Sequence, residues 1–304
     1  MRVVSLLPAA TEITAALGCT DLLVGVSHEC DFPAEVASRP RVTHCAIHGN
    51  ALPSGETDRW VRETLAASGT LYTLEADLLR ALAPDVIITQ RLCDVCAVGY
   101  ETVTAFAATL PGPPRVVNLE PTRLADVFDD IRRIAAALGV PDRGEQLVAA
   151  LQARVDAVRR RVAAAPRRRC TLLEWIDPPF RGGHWVPELL DAAGGIDPVG
   201  RAGEDAAAIT WDTVRDADPE VLVLACCGYP IERTLADVPL LAARPGWQEL
   251  AAVRNGEVYV LDGSAYVSRP GPRLVDTIEI LASLLHPTLV EPRPERAYRL
   301  PRPV

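Results

Sequence analysis

The chain contains no lysine: all 31 of its permanently cationic side chains are arginines. That excludes Schiff-base chemistry on a side-chain amine and the lysine of a phosphate-binding P-loop. Also missing are a G-x-S-x-G nucleophile elbow, a glycine-rich phosphate loop and an H-E-x-x-H helix, so the common hydrolase, nucleotide-binding and zinc-protease frameworks have no starting point. Gly182-Gly183, before His184, and Gly194-Gly195 read as loop glycines. No apolar run is long enough to span a bilayer, so the protein is not expected to be membrane-embedded. The first strand reads directly from Val3-Val4-Ser5-Leu6-Leu7-Pro8 with no secretory leader before it, which predicts a cytoplasmic protein whose cysteines stay reduced. A net charge of −9 argues against nucleic acid as a partner. The arginine runs 159–161 and 167–169 read as solvated helix ends.

What the chain does carry is alternation. With 304 residues, 49% of them hydrophobic, it buries a sizeable core and has the length for two lobes. Short β-branched runs at 2–7, 22–27, 85–90 and 115–119 alternate with helical spacing over 11–17, 58–67 and 101–110. Repetition of βα units predicts a mostly parallel sheet. Pro8-Ala9-Ala10-Thr11-Glu12 reads as a strand passing straight into a helix, whose free amides favour a polar or anionic group. From 122 to 165 the pattern is helical, broken at Gly139-Val140-Pro141, where proline fits the first turn of a new helix. A second series follows, with strands at 169–175, 221–225 and 258–261 and helices at 186–193 and 274–285. The tail from His286 holds five prolines and is expected to pack irregularly. The boundaries predicted are an amino-terminal lobe at 1–121, a helical connection at 122–165, a carboxyl-terminal lobe at 166–288 and a proline-rich tail at 289–304.

Five of the eight cysteines, Cys30, Cys93, Cys96, Cys226 and Cys227, follow predicted strand ends, with His28 and His184 in similar loops. In open α/β sheets those loops bind ligands. Cys93-Asp94-Val95-Cys96 has the spacing at which two sulfurs share one metal, and Cys226-Cys227 offers at most one more. With His28, Cys30 and His184 the donors suit zinc, copper(I), an iron–sulfur cluster or the cobalt of a corrinoid. Plain packing of buried thiols and a redox dithiol at Cys93 and Cys96 are the other open readings. Cys19, Cys45 and Cys170 read as bystanders, and His44 and His48 as solvated loop histidines. Glu29, Asp31, Asp94, Glu174 and Asp177 read as rim carboxylates, with acid–base chemistry as the alternative.

Six segments carry a resemblance. Ser5-Leu6-Leu7-Pro8-Ala9-Ala10-Thr11-Glu12, then residues 24–33 ending in Cys30-Asp31-Phe32-Pro33, then Leu82-Ala83-Pro84-Asp85-Val86-Ile87-Ile88 resemble the amino lobe of the cobalamin and iron-siderophore substrate-binding proteins of ABC transporters. Glu174-Trp175-Ile176-Asp177-Pro178-Pro179-Phe180, Asp218-Pro219-Glu220-Val221-Leu222-Val223 and Ser268-Arg269-Pro270-Gly271-Pro272-Arg273 resemble the matching places of the carboxyl lobe. The likeness spans about 2–286.

The resemblance implies an α/β fold of two Rossmann-like lobes joined by a single long helix, the helical-backbone binding-protein fold, with a ligand cleft between the lobes. It implies non-catalytic binding of cobalamin or a related corrinoid or metal chelate. His28, Glu29, Cys30, Gln90, Arg91, Trp175, Phe180, His184, Trp185, Tyr229, Tyr266 and Arg269 would line that cleft, the aromatics supplying the broad faces that a macrocycle needs. The alternative is a thiolate metal-binding protein or metalloenzyme using Cys93, Cys96, Cys226, Cys227 and His28 in the same place. An ABC permease is the implied partner. The first docking glutamate of the family falls at Glu101, and the second has no identifiable counterpart.

Overall fold

The computed structural model describes residues 1–45, 52–91 and 98–302. Its contacts form two units: Met1–Leu52 with Thr57–Pro121 and Ala125–Ala150, and Pro53–Glu56 with Thr122–Leu124 and Leu151–Val304.

In the first unit, β1 (Val3–Ser5) leads into α1 (Pro8–Ala16). Pro8 suits that start because the first helical turn leaves its amide positions unbonded in any case. β2 (Leu23–Val26), β3 (Thr43–Cys45), α2 (Ser54–Ser68), β4 (Tyr72–Leu74), α3 (Ala76–Leu82), β5 (Val86–Gln90), α4 (Tyr100–Ala107) and β6 (Arg115–Leu119) follow. Four strands make a wholly parallel sheet in the order β2-β1-β5-β6. All five residues of β5 are buried, as a central parallel strand requires. β3 and β4 form a separate antiparallel pair, where the sequence predicts a loop.

α5 (Leu124–Ala137) and α6 (Pro141–Val162) are separated as the glycine-proline break predicts. Gly139 has φ +74°, and the Val140 amide donates to the Ala135 carbonyl at 2.9 Å, closing α5 with a left-handed turn that glycine adopts without cost. α6 has 22 residues, about 33 Å at a rise of 1.5 Å per residue. Its residues through Ala150 group with the first unit and those from Leu151 with the second. Arg143 ties its start to the Leu17 carbonyl at 3.2 Å.

The second unit contains β7 (Arg168–Trp175), β8 (Phe180–Arg181), α7 (Val186–Ala192), β9 (Gly195–Ile196), β10 (Ala207–Ala208), α8 (Trp211–Ala217), β11 (Val221–Leu224), α9 (Ile231–Ala242), α10 (Ala251–Asn255), β12 (Val258–Leu261), α11 (Gly263–Tyr266), α12 (Leu274–Leu285) and β13 (Ala297–Arg299). The sheet runs β10-β8-β7-β11-β12-β13, with β9 also on β7. β7, β11 and β12 are parallel, while β8, β10 and β13 add antiparallel flanks. β13 corrects the expectation of an irregular tail: Ala297–Arg299 pairs with β12 because no proline falls within it. Arg154 on α6 binds Glu279 on α12 at 2.9 Å. No helix among the described residues is long and apolar enough to cross a membrane.

Candidate functional site

Parallel pairing decides which loops share an edge. In the first unit, residues after β2 and β5 leave the sheet at the same end, which brings His28, Glu29 and Cys30 to the edge where Gln90 and Arg91 lie. The His28 ring is held from several sides. Its Nδ1 lies 2.8 Å from Thr43 Oγ1 on β3, its Nε2 lies 3.4 Å from Glu29 Oε1, and its ring centroid is 5.6 Å from that of Tyr72 on β4. Burial opposes the charged imidazole, but hydrogen bonds to Cys45 and Glu29 and the charge of Glu29 outweigh it, raising His28 to about 9. The ring is therefore cationic at neutral pH and is a donor of hydrogen bonds rather than a metal ligand.

Cys30 is 1% exposed, with its sulfur 3.0 Å from Thr11 Oγ1 and 3.2 Å from Ser27 Oγ. It ties the loop after β2 to the first turns of α1. Gln90 is buried at the end of β5, and exposed Arg91 pairs with Glu101 at 3.2 Å.

In the second unit the shared edge follows β7, β11 and β12. Trp175 ends β7, and its indole N–H donates to the carbonyls of Ser54 and Asp177, each at 3.2 Å. Its ring centroid lies 4.9 Å from that of half-buried Tyr229, just after β11. The Arg233 guanidinium stands 4.6 Å over the Tyr229 ring and pairs with Asp237 at 3.1 Å. Asp237 in turn accepts the Ser54 amide at 2.8 Å. Trp175, Tyr229 and Arg233 thus form a cross-braced group, its two aromatic rings tilted at 48° to each other, with both aromatic and cationic character. Sequence reasoning missed Arg233 and Asp237. The available signal was their spacing from each other, since residues four apart on α9 share a helix face.

The loop from Phe180 builds a second polar group. Glu174 Oε1 accepts the Gly183 amide at 2.8 Å. Burial pushes this carboxyl up to about 8 against that hydrogen bond, so Glu174 is largely protonated at neutral pH. Gly183 itself is required because a Cβ there would run into the backbone of Ala206. His184 has φ +46°, and its Nε2 lies 3.1 Å from Asp205 Oδ1. Its ring is 5.4 Å from Trp185.

Several expected site residues are instead structural. Trp185 is 5% exposed and donates its indole N–H to the Val267 carbonyl at 2.9 Å. Tyr266 is buried with Arg273 and Arg296 near its ring, and buried Arg269 donates to Ser264 Oγ at 3.0 Å. Cys226 is fully buried in the hydrophobic core, where burial pushes its thiol up to about 12. Cys226 is thus packed among core side chains and not presented at an open ligand position. Cys227 is exposed. Cys93 and Cys96 lie outside the described residues, as does His48. Among the described residues no group of three or more His, Cys, Asp or Glu side chains is placed to hold a metal ion.

A family model described as periplasmic binding protein matches residues 3–265. The vitamin B12-binding protein of Vibrio cholerae is 24% identical over 294 residues, covering 93% of this chain and 88% of that protein. A solved periplasmic heme-binding protein from Pseudomonas aeruginosa matches with TM-score 0.75 at 21% identity, covering 100% of this chain and 99% of that one. The solved periplasmic vitamin B12-binding protein of Vibrio cholerae matches with TM-score 0.66 at 22% identity, covering 93% and 96%. These likenesses establish the two-lobed α/β fold. They also overturn the expected cytoplasmic location, because the matching family and the solved relatives are periplasmic. The chain belongs to the periplasmic binding protein family, whose members bind small molecules and deliver them to ABC permeases.

Proposed function

We propose that this protein captures a corrinoid such as cobalamin outside the cytoplasm and presents it to an ABC permease. The observation that carries this reading is the half-buried pair of Trp175 and Tyr229 with Arg233 stacked over the tyrosine. A flat macrocycle rewards broad apolar faces with a few fixed polar groups around them. Protonated Glu174, on the same unit as Trp175 and Tyr229, supplies a hydrogen-bond donor, which suits the carbonyl oxygens of corrin amide side chains. The similarity to a vitamin B12-binding protein over nearly the whole chain supports the same ligand class. Exposed Glu101, in the first turn of α4, is the candidate permease contact on the first unit.

The test is equilibrium dialysis of purified protein against hydroxocobalamin, with hemin in a parallel cell, reading bound chromophore per chain by visible absorbance. Saturation near one corrinoid per chain supports the proposal. Uptake of hemin alone, or of neither, overturns it.

A further inference from the structure

We infer that Asp237, itself buried out of a ligand's reach, is a positioning residue for both aromatic rings of the proposed corrinoid site: it holds Trp175 through the backbone of Ser54 and Tyr229 through Arg233. This role rests on the corrinoid reading for its ligand, whereas the contacts that carry it all lie within the second unit.

Those contacts close a circuit. Asp237 Oδ2 accepts the Ser54 amide at 2.8 Å, and the Ser54 carbonyl accepts the Trp175 indole N–H at 3.2 Å. The Trp175 ring centroid lies 4.9 Å from that of Tyr229, over which the Arg233 guanidinium stands at 4.6 Å. Arg233 returns to Asp237 Oδ1 at 3.1 Å. Asp237 and Ser54 are buried, while Trp175 and Tyr229 are half-buried. A ligand on this edge therefore meets the rings, and the carboxylate acts on it only through them.

Asp237 is the root of the circuit because each of its oxygens serves a different ring by a charge-assisted bond. Oδ1 holds Arg233, one turn earlier on the same face of α9. Oδ2 holds the first turn of α2, a helix of 15 residues whose positive dipole end favours a carboxylate there. Little else anchors that turn. Pro53 and Glu56 are exposed, and the Ser54 hydroxyl is buried without a partner, so the backbone of Ser54 makes the connection. The indole N–H also reaches the Asp177 carbonyl at 3.2 Å, two residues on in its own loop. With that local bond kept, loss of Asp237 re-aims the Trp175 ring instead of unfolding the loop.

The test sets Asp237→Ala and the milder Asp237→Asn beside the unaltered protein, each also in a Trp175→Phe background, which keeps an aromatic face but has no N–H for Ser54 to hold. Near-ultraviolet circular dichroism of the ligand-free proteins reads the rings, and equilibrium dialysis against hydroxocobalamin reads the ligand. Asp237→Ala should change the aromatic spectrum well below its unfolding temperature and weaken corrinoid binding by about tenfold or more. Asp237→Asn, which keeps one acceptor oxygen, should change both less, and it carries the comparison if Asp237→Ala does not fold. In the Trp175→Phe background the same substitutions should cost about threefold or less, whereas a merely structural role would cost the same in both backgrounds. Equal costs in the two backgrounds, or spectra and affinities unmoved by either substitution, overturn the inference. If the unaltered protein takes up no corrinoid, the corrinoid reading fails and the spectra decide alone: a change on Asp237→Ala that shrinks in Trp175→Phe supports the positioning role, and its absence overturns it.

Discussion

Glu174 and His28 are both raised, and the signs of their linkage agree. A carboxyl lifted from 4.5 to about 8 favours the folded state when protonated, so its contribution is full below pH 4.5 and is lost as pH rises through 8. His28, lifted from 6.5 to about 9, contributes fully below pH 6.5 and loses that contribution through 9. Stability should therefore fall between about pH 5 and 9, as read by urea unfolding across that range. Glu174→Gln keeps the acceptor for the Gly183 amide and removes the titration. It should flatten the fall below pH 8 by roughly 2 kcal/mol or more, and a slope unchanged from the unaltered protein would contradict the assignment. His28→Gln should act later, flattening the fall only between about pH 6.5 and 9. At this scale the aromatic pair was legible, because Trp175 and Tyr229 stand at strand ends. The roles of Cys30 and Cys226 were not. A strand-end position fixes the loop but not whether the side chain turns inward, and both sulfurs turn into the core.

Among the elements, Gly144 decides how closely α5 and α6 approach. A Cβ at that position would lie 2.6 Å from the Ala135 Cβ, which has no rotamer with which to retreat. Gly144→Val should cost about 1–3 kcal/mol through overpacking, visible as a lower urea midpoint, whereas an unchanged midpoint would show that the helices separate freely. The long regular elements were readable: β12 and α12 have the bounds that periodicity predicts, and α6 starts at the expected Pro141 and ends at Val162, short of the expected 165. The short ones were not. β8, β9 and β10 have two residues each, too few for alternation to register, and α9 carries Pro239 in its interior, which argues against a helix on local grounds. β13 lay hidden between Pro294 and Pro301, where composition masked a proline-free run long enough to pair.

For the molecule as a whole, the order of six motifs gave the two-lobed α/β fold and the family, since burial patterns specify the sheets. The compartment was read wrongly. That reading rested on where the first strand falls in the chain, which says nothing of where the protein works, and the periplasmic family corrects it. The proposed corrinoid site rests on the tilted Trp175–Tyr229 pair, and an isothermal titration with hydroxocobalamin, run on the unaltered protein and on Trp175→Ala and Tyr229→Ala, tests that proposal most directly. One corrinoid per chain at micromolar affinity or tighter is expected, weakened by about tenfold or more in each variant, since an aromatic contact with its buried area is worth about 1–3 kcal/mol. No heat of binding, or affinities equal in all three proteins, would contradict the account.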